Sequence, residues 1–376
     1  MKTILEGSQA VAEIVRRCKP GVISAYPITP QTHIVESLAR FKADGLASYE
    51  YVRAESEFAA ASIVAGASAT GVRVYMATSS QGLLLMAEVV FNIAGMRLPI
   101  VMTCANRAVS SPISIWNDQQ DAVTVRDSGW IMLFAADNQE VADLHIQAFK
   151  IAEQVKLPVM VNMDGFILTH TFEPIDLPDQ KLIDKYLPKY LPTKGEYLDV
   201  NNPKTMGALA GPAYYQDIRQ ALHDDLLDSQ KVIVKEAKSF SQVFGRNQGN
   251  GLWGSYKLKD AEIVLVAMGS VAGTIEEAID ELRKAKIKVG LLKIKCFRPF
   301  PDEGIKQALN KAKRIVVIDK SISLSTEGIL ATEIRRALYG SKVKVQSIVT
   351  GLGGKDITKE TIKTAIKDKV SNFKFI

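Results

Sequence analysis

The chain has 376 residues, 47% hydrophobic and 23% charged, a globular composition with material for two or three domains, which excludes whole-chain disorder. Its net charge of +6 divides unevenly: residues 1–170 hold 13 Lys/Arg against 16 Asp/Glu, and the rest carries the remaining +9. That excess is spread over stretches such as RKAKIK and NKAKR without interleaved aromatics, which argues for solvated faces or subunit docking and against nucleic acid.

In chain order, the first 170 residues alternate helix and strand patterns. Ala10–Cys18 has an amphipathic helical face made by Ala10, Val11, Ile14 and Val15. A strand at Val22–Tyr26 leads into PITP, where Thr29 as N-cap and Pro30 at the first helical position open a helix through Arg40. Residues 47–52 are strand-like, and an Ala-rich helix runs from Ser56 to Ala69. The strand Arg73–Ala77, the helix Gly82–Ile93 and the strand Leu98–Thr103 follow, then an irregular loop at Ala105–Asn117. Trp130–Ala135, the helix Glu140–Gln154 and the strand Pro158–Met163 complete the set. Apolar strands alternating with helices predict a parallel sheet covered on both faces. Residues 171–212, rich in Pro, Asp, Lys and Leu, read as a long surface connection, and Tyr214–Phe244 as helix. A second α/β unit starts near Asp260. It comprises the strand Ile263–Ala267, a turn and helix in GSVAGTIEEAIDELRKA, the strand Val289–Ile294 and a rigid loop at FRPFP. Arg314–Asp319, Ile329–Tyr339 and Val343–Ile348 continue the alternation, before a turn at GLGGKDI and a final helix at Thr358–Lys367.

No apolar run reaches the ~18 residues that cross a bilayer. Glu6 stands where a signal peptide needs its apolar core, so the cytoplasm is the expected location. Cys18, Cys104 and Cys296 lie too far apart for a disulfide framework or an iron–sulfur motif. His33, His145, His170 and His223 form no metal-ligand spacing, so no metal site made by this chain alone is expected. MGSVAGT at 268–274 follows a strand and opens a helix, a place where backbone N–H groups attract an anion. It matches neither G-x-G-x-x-G nor a P-loop, and a strand-to-helix turn needs small residues in any case.

Four segments fall at the carboxyl ends of predicted strands, where ligands of open α/β sheets bind. In Tyr26-Pro27-Ile28-Thr29-Pro30, a capping hydroxyl still has a proton to donate to a carboxylate. In Glu55-Ser56-Glu57, acidic residues suit the first turn of a helix. Thr78-Ser79-Ser80-Gln81-Gly82 gathers hydroxyls at a strand end, where capping alone explains them equally well. Arg107, at the head of a polar loop, has the fork that holds a carboxylate, or is a solvated loop arginine.

Together, YPITP, the SE before the Ala-rich helix, SSQGLLLM, ANRA…SIWNDQQD and MDGFILTH resemble the α subunit of 2-oxoacid:ferredoxin oxidoreductases, nearest to the pyruvate branch. The resemblance implies a thiamine diphosphate-binding domain of the pyrimidine type over 1–240, with a connecting segment from about 171, and a transketolase C-terminal-like α/β domain over 255–376. It implies that Glu57 contacts N1′ of the aminopyrimidine, where a shared proton favours the imino form that deprotonates the thiazolium carbon. Thr29 and Arg107 match the residues that hold the substrate carboxylate, and Ser79, Ser80 and Gln81 fall near the cofactor. The 108–118 loop is expected to close over the substrate.

The resemblance also implies partners. The chain has no GDG motif for Mg2+ and pyrophosphate, the nearest being Met163-Asp164-Gly165, and no cluster-ligating cysteines. A β subunit is then expected to supply the pyrophosphate half of the site with Mg2+ and a 4Fe–4S cluster. The γ and δ subunits, ferredoxin and coenzyme A complete the reaction. A 2-oxoisovalerate or other 2-oxoacid substrate is the alternative within the family, and a non-catalytic α/β scaffold the alternative outside it. Thr29 in place of a second arginine argues against a dicarboxylate such as oxalate.

Overall fold

The computed structural model describes residues 2–247, 249–368 and 372–376. Two sheets dominate it. The first has seven strands in the spatial order Cys296–Arg298, Ile131–Phe134, Val159–Asp164, Val101–Asn106, Val74–Thr78, Val22–Ala25, Glu50–Arg53. All of its pairings are parallel except the edge strand Cys296–Arg298, which runs antiparallel to Ile131–Phe134. The second has six strands in the order Phe373–Phe375, Lys344–Val349, Arg314–Asp319, Ile263–Met268, Val289–Ile294, Trp253–Tyr256, the last antiparallel. A short ribbon pairs Lys2–Glu6 with Phe172–Asp176.

The central strands of each sheet, such as Val101–Asn106, Ile131–Phe134 and Ile263–Met268, are largely apolar runs buried on both faces, as the parallel arrangement demands. Helices Gly7–Arg17, Thr32–Ala43 and Asn138–Val155 cover one face of the first sheet. Helices Glu57–Ala69, Ser80–Leu85 and Ala87–Gly95 cover the other. That second core runs on into the six-stranded sheet, so Val74 and Met102 share it with Val266 and Leu292.

Several expectations need correction. The helix after PITP does not start at Thr29–Pro30 but at Thr32, with Gln31 as its N-cap. The Gln31 side-chain amide donates to Tyr26 O at 2.9 Å and to Ala77 O at 3.1 Å, which folds residues 26–31 into a turn across the sheet's end. The helix expected over Gly82–Ile93 is two helices that meet at Met86, whose side chain is buried at the bend. The FRPFP segment is not a free loop: its start is the edge strand Cys296–Arg298, and Phe297 meets Phe134 edge-on at 6.1 Å. The 171–212 connection contains the strand Phe172–Asp176 and the helix Gln180–Tyr186. The helix beyond it, Pro212–Phe244, spans 33 residues. No helix among the described residues is long and apolar enough to cross a membrane.

Candidate active site

At the carboxyl edge of the seven-stranded sheet, Ser56 caps the Glu57–Ala69 helix by accepting from the Ala59 N–H at 3.1 Å. Glu57 is therefore the first helical residue, where the helix dipole favours a negative charge. Its side chain is buried, whereas Glu55 is exposed. The Glu57 carboxylate has no hydrogen-bond partner among the described residues. Gly82 backs onto it: a Cβ at Gly82 would lie 2.6 Å from Glu57 Oε1 and 2.7 Å from Thr78 Oγ1. Thr78 Oγ1 and Gln81 Nε2 are buried polar atoms without a partner in the chain. The buried carboxylate and the orphaned hydroxyl meet at this glycine, and the orphaned amide belongs to the residue before it; buried polar groups of this kind ordinarily have a partner.

Arg107 and Thr29 are brought together through backbone. Arg107 is buried; its Nη1 donates to Thr29 O at 2.9 Å and its Nε to Ser114 O at 2.9 Å. Burial lowers the guanidinium pKa, with Asp121 opposing the shift. With Nε committed, the Nη2 hydrogens and the second Nη1 hydrogen are left for an anion, approached end-on rather than from the side. Thr29 is exposed, and its hydroxyl is uncommitted among the described residues.

Ser79 and Ser80 are committed within the chain. Ser79 Oγ donates to Ala105 O at 2.7 Å, and Ser80 Oγ lies 2.5 Å from Ala108 O. These bonds lash the strand end to the loop that carries Arg107. Sequence reasoning missed the group beneath them. Asp121, fully buried, accepts from the backbone N–H of Ser80 (2.9 Å) and Arg107 (3.0 Å), from Asn106 Nδ2 (3.1 Å) and from the Ala122 N–H (2.7 Å). Ser80 has a positive φ of 47°, a left-handed conformation that this carboxylate holds in place. Burial raises the Asp121 pKa against those four donors. The second aspartate of NDQQD was the only sequence signal for it.

A second missed group joins the two sheets. Asp164, buried, accepts from Lys320 Nζ at 3.0 Å, Ser270 N at 2.8 Å and Gln119 Nε2 at 3.2 Å. Burial alone would raise its pKa, but Lys320 and the Ser270 donors outweigh it and hold the carboxyl below its ordinary range. The helix start at MGSVAGT thus receives an anion, and that anion is Asp164 of the same chain. Beside it, a cavity of about 410 Å³ is lined by Trp116, Phe166, Ser270, Lys320 and Lys355 among others. The base of the 108–118 loop is pinned there. The Trp116 ring lies 4.6 Å from Phe166, and the Gly354 N–H donates to Asn117 O at 2.6 Å. The loop tip is open, with Ile113 79% exposed. A cavity of about 680 Å³ lies elsewhere, among Arg126, Arg219, Arg298 and Arg336.

The chain matches two family models. Residues 13–238 match "pyruvate flavodoxin/ferredoxin oxidoreductase, thiamine diphosphate-binding", and residues 261–362 match "pyruvate:ferredoxin oxidoreductase core domain II". It is 51% identical to the pyruvate synthase subunit PorA of Methanosarcina barkeri over 97% of this chain and 92% of that one. The PorA of Methanocaldococcus jannaschii is 49% identical over 96% and 93%. The ketoisovalerate oxidoreductase subunit VorA of Pyrococcus horikoshii is 42% identical over 98% and 93%. Among solved structures, the 2-oxoglutarate:ferredoxin oxidoreductase of Magnetococcus marinus, with 2-oxoglutarate, coenzyme A and succinyl-CoA bound, aligns with a TM-score of 0.75 at 21% identity. The alignment covers 97% of this chain and 65% of that one, so the chain spans about two thirds of its length. A split-gene transketolase aligns with a TM-score of 0.55 at 12% identity, covering 96% and 95%. Both likenesses bear on the fold alone.

Proposed function

The chain belongs to the pyruvate flavodoxin/ferredoxin oxidoreductase family, and on that premise we propose that it is the α subunit of a thiamine diphosphate-dependent pyruvate:ferredoxin oxidoreductase. The reaction converts pyruvate and coenzyme A to acetyl-CoA and CO2, or the reverse, with electrons passing to ferredoxin. The observation that carries the reading is the buried, unpartnered Glu57 carboxylate beside Gly82 and Thr78. That donor set fits the aminopyrimidine edge of thiamine diphosphate. Bound there, the cofactor supplies a carbon nucleophile for the 2-oxoacid carbonyl and an electron sink for loss of CO2.

Each residue of the chain then has a task. Glu57 holds a proton at N1′, and Gly82 leaves room for the carboxylate to reach it. The orphaned Gln81 amide offers a hydrogen bond to the ring edge. Ser79 and Ser80 hold the loop, so they act by positioning. Arg107 and the Thr29 hydroxyl orient the substrate carboxylate, with Thr29 O fixing the guanidinium. Substrate binding orders the open tip of the 108–118 loop.

The partition of labour follows from what the chain lacks. A β subunit supplies the pyrophosphate half of the site, Mg2+ and a 4Fe–4S cluster, while γ and δ subunits complete an assembly that works with ferredoxin in the cytoplasm. The chain divides into a pyrimidine-binding unit, 1–240, and a transketolase C-terminal-like unit, 255–376. A 2-oxoisovalerate-oxidising enzyme is the second reading, favoured by the VorA likeness. Co-expression with the partner subunits and a viologen-reduction assay across several 2-oxoacids decides. We expect pyruvate to give the highest kcat/KM. A preference for 2-oxoisovalerate overturns the pyruvate assignment, and turnover by this chain alone overturns the shared site.

A further inference from the structure

The histidines lie far apart in sequence, yet the fold brings two of them together beside a carboxylate. His33, the second residue of the Thr32–Ala43 helix, and His170, in the loop after the strand Val159–Asp164, have ring centroids 4.7 Å apart. Glu6, the last residue of the N-terminal strand, closes the group with its Oε1 2.7 Å from His33 Nδ1. The ligand atoms of all three lie within 4.8 Å of one another. Sequence spacing alone gives no sign of this group, because its three members come from separate segments.

The chemistry of the group suits a cation. Glu6 is only 7% exposed; its carboxylate bonds His33 and lies near His170, and no lysine or arginine pairs with it among the described residues. A buried carboxylate needs counter-charge or several donors, and here it has one donor. Two imidazoles and a carboxylate are a donor set for borderline ions such as Zn2+, which takes three protein ligands and leaves a fourth position to water. Ligand bonds of ~2.0–2.1 Å in a tetrahedron place the ligand atoms ~3.3 Å apart. The present separations, from 2.7 Å to no more than 4.8 Å, bracket that value, so side-chain rotation suffices.

The surroundings are organised as well. His170 Nδ1 lies 2.7 Å from Thr169 Oγ1, which also accepts from the Phe166 N–H at 2.7 Å. The ring is thereby oriented through one nitrogen, which leaves Nε2 for a ligand bond. Phe166 packs on the same imidazole with centroids 4.7 Å apart. We propose that Glu6, His33 and His170 form a site for a divalent transition-metal ion, best suited to Zn2+, that ties the N-terminal strand to the helix following Thr29 and to the 165–171 loop. The site stands independently of the oxidoreductase reading.

Equilibrium dialysis of the full chain, stripped with a chelator and titrated with ZnCl2, tests it alongside His33→Asn, His170→Asn and Glu6→Gln. His223→Asn, at an exposed histidine outside the group, is the control. We expect one Zn2+ per wild-type chain and an unchanged control. Each of the three substitutions weakens binding at least about tenfold, the lower end of what disturbing even a supporting residue costs. Zn2+ also raises the thermal midpoint of the wild type and not that of His33→Asn. Failure to retain stoichiometric Zn2+, or retention unaltered in His33→Asn, overturns the proposal. The His33 side chain is 46% exposed, so this variant decides the matter even where a more buried one fails to fold.

Discussion

Gly82→Ala adds one methyl group at the most crowded point of the candidate site. Its Cβ would lie 2.6 Å from Glu57 Oε1, 2.7 Å from Glu57 Cγ and 2.7 Å from Thr78 Oγ1, whereas ordinary contact begins at 3.4 Å. The carboxylate must therefore retreat by about 0.8 Å, the difference between those distances. A displacement of about 1 Å at a reacting group costs about 100-fold in rate. Stability responds differently. Crowding costs ~1–3 kcal/mol, while alanine in place of glycine inside a helix returns ~1 kcal/mol. The net loss is at most ~2 kcal/mol, so the variant folds and assembles but fails in the chemistry. Proton exchange at the thiazolium carbon, followed by NMR in the assembled enzyme, reads the first effect; thermal unfolding reads the second. We expect exchange slowed about 100-fold with a midpoint lowered by a few degrees, and Glu57→Gln to abolish exchange while assembly survives. Wild-type exchange in a folded, assembled Gly82→Ala enzyme would refute the placement of Glu57 at the reacting centre.

Three further expectations concern the supporting groups. Arg107→Lys keeps the charge but loses the planar group that bonds Thr29 O and Ser114 O, so KM for pyruvate rises about tenfold or more and kcat falls; unchanged steady-state kinetics count against its role. Asp121→Asn leaves two buried donors facing an amide N–H whichever way the new side chain turns, at ~1–3 kcal/mol each. The variant unfolds several degrees earlier, and a midpoint equal to wild type excludes this hub. Burial raises the Asp118 pKa from 3.8 to about 6, so as pH falls below neutrality the folded state takes up this proton before the unfolded chain does. Wild type gains stability relative to Asp118→Asn between pH 7 and pH 4, and denaturant unfolding that shows a pH-independent difference rejects the assignment.

The strands were legible because burial on both faces leaves a plain signature. Val289–Ile294 and Arg314–Asp319 match their predicted bounds to the residue. The start of the Thr32–Ala43 helix was not, because a bond to Ala77 O, across 46 residues, overrides a local Thr-Pro signal. Glu57 and Arg107 were singled out through motifs, and both side chains are buried in the folded chain. Asp121 was hidden for a different reason. In sequence it is one more charge in a polar loop, and its donors come from residues 80, 106 and 107. At MGSVAGT the physical expectation of an anion was sound, while its source, Asp164, lies over 100 positions away. The Glu6–His33–His170 group shows the same limit, since no spacing rule spans three segments.

The edge strand Cys296–Arg298 has a consequence for synthesis. Ile131–Phe134, all four residues of it buried, emerges from the ribosome about 160 residues before the segment that will cover its open side. At ~5–20 residues per second that interval is roughly 8–30 s. For that time the nascent chain displays an apolar strand with unpaired backbone groups, a template for pairing with a neighbouring chain. Translation speed through residues 135–295, and whatever shields that edge meanwhile, set how much of the product reaches the native state.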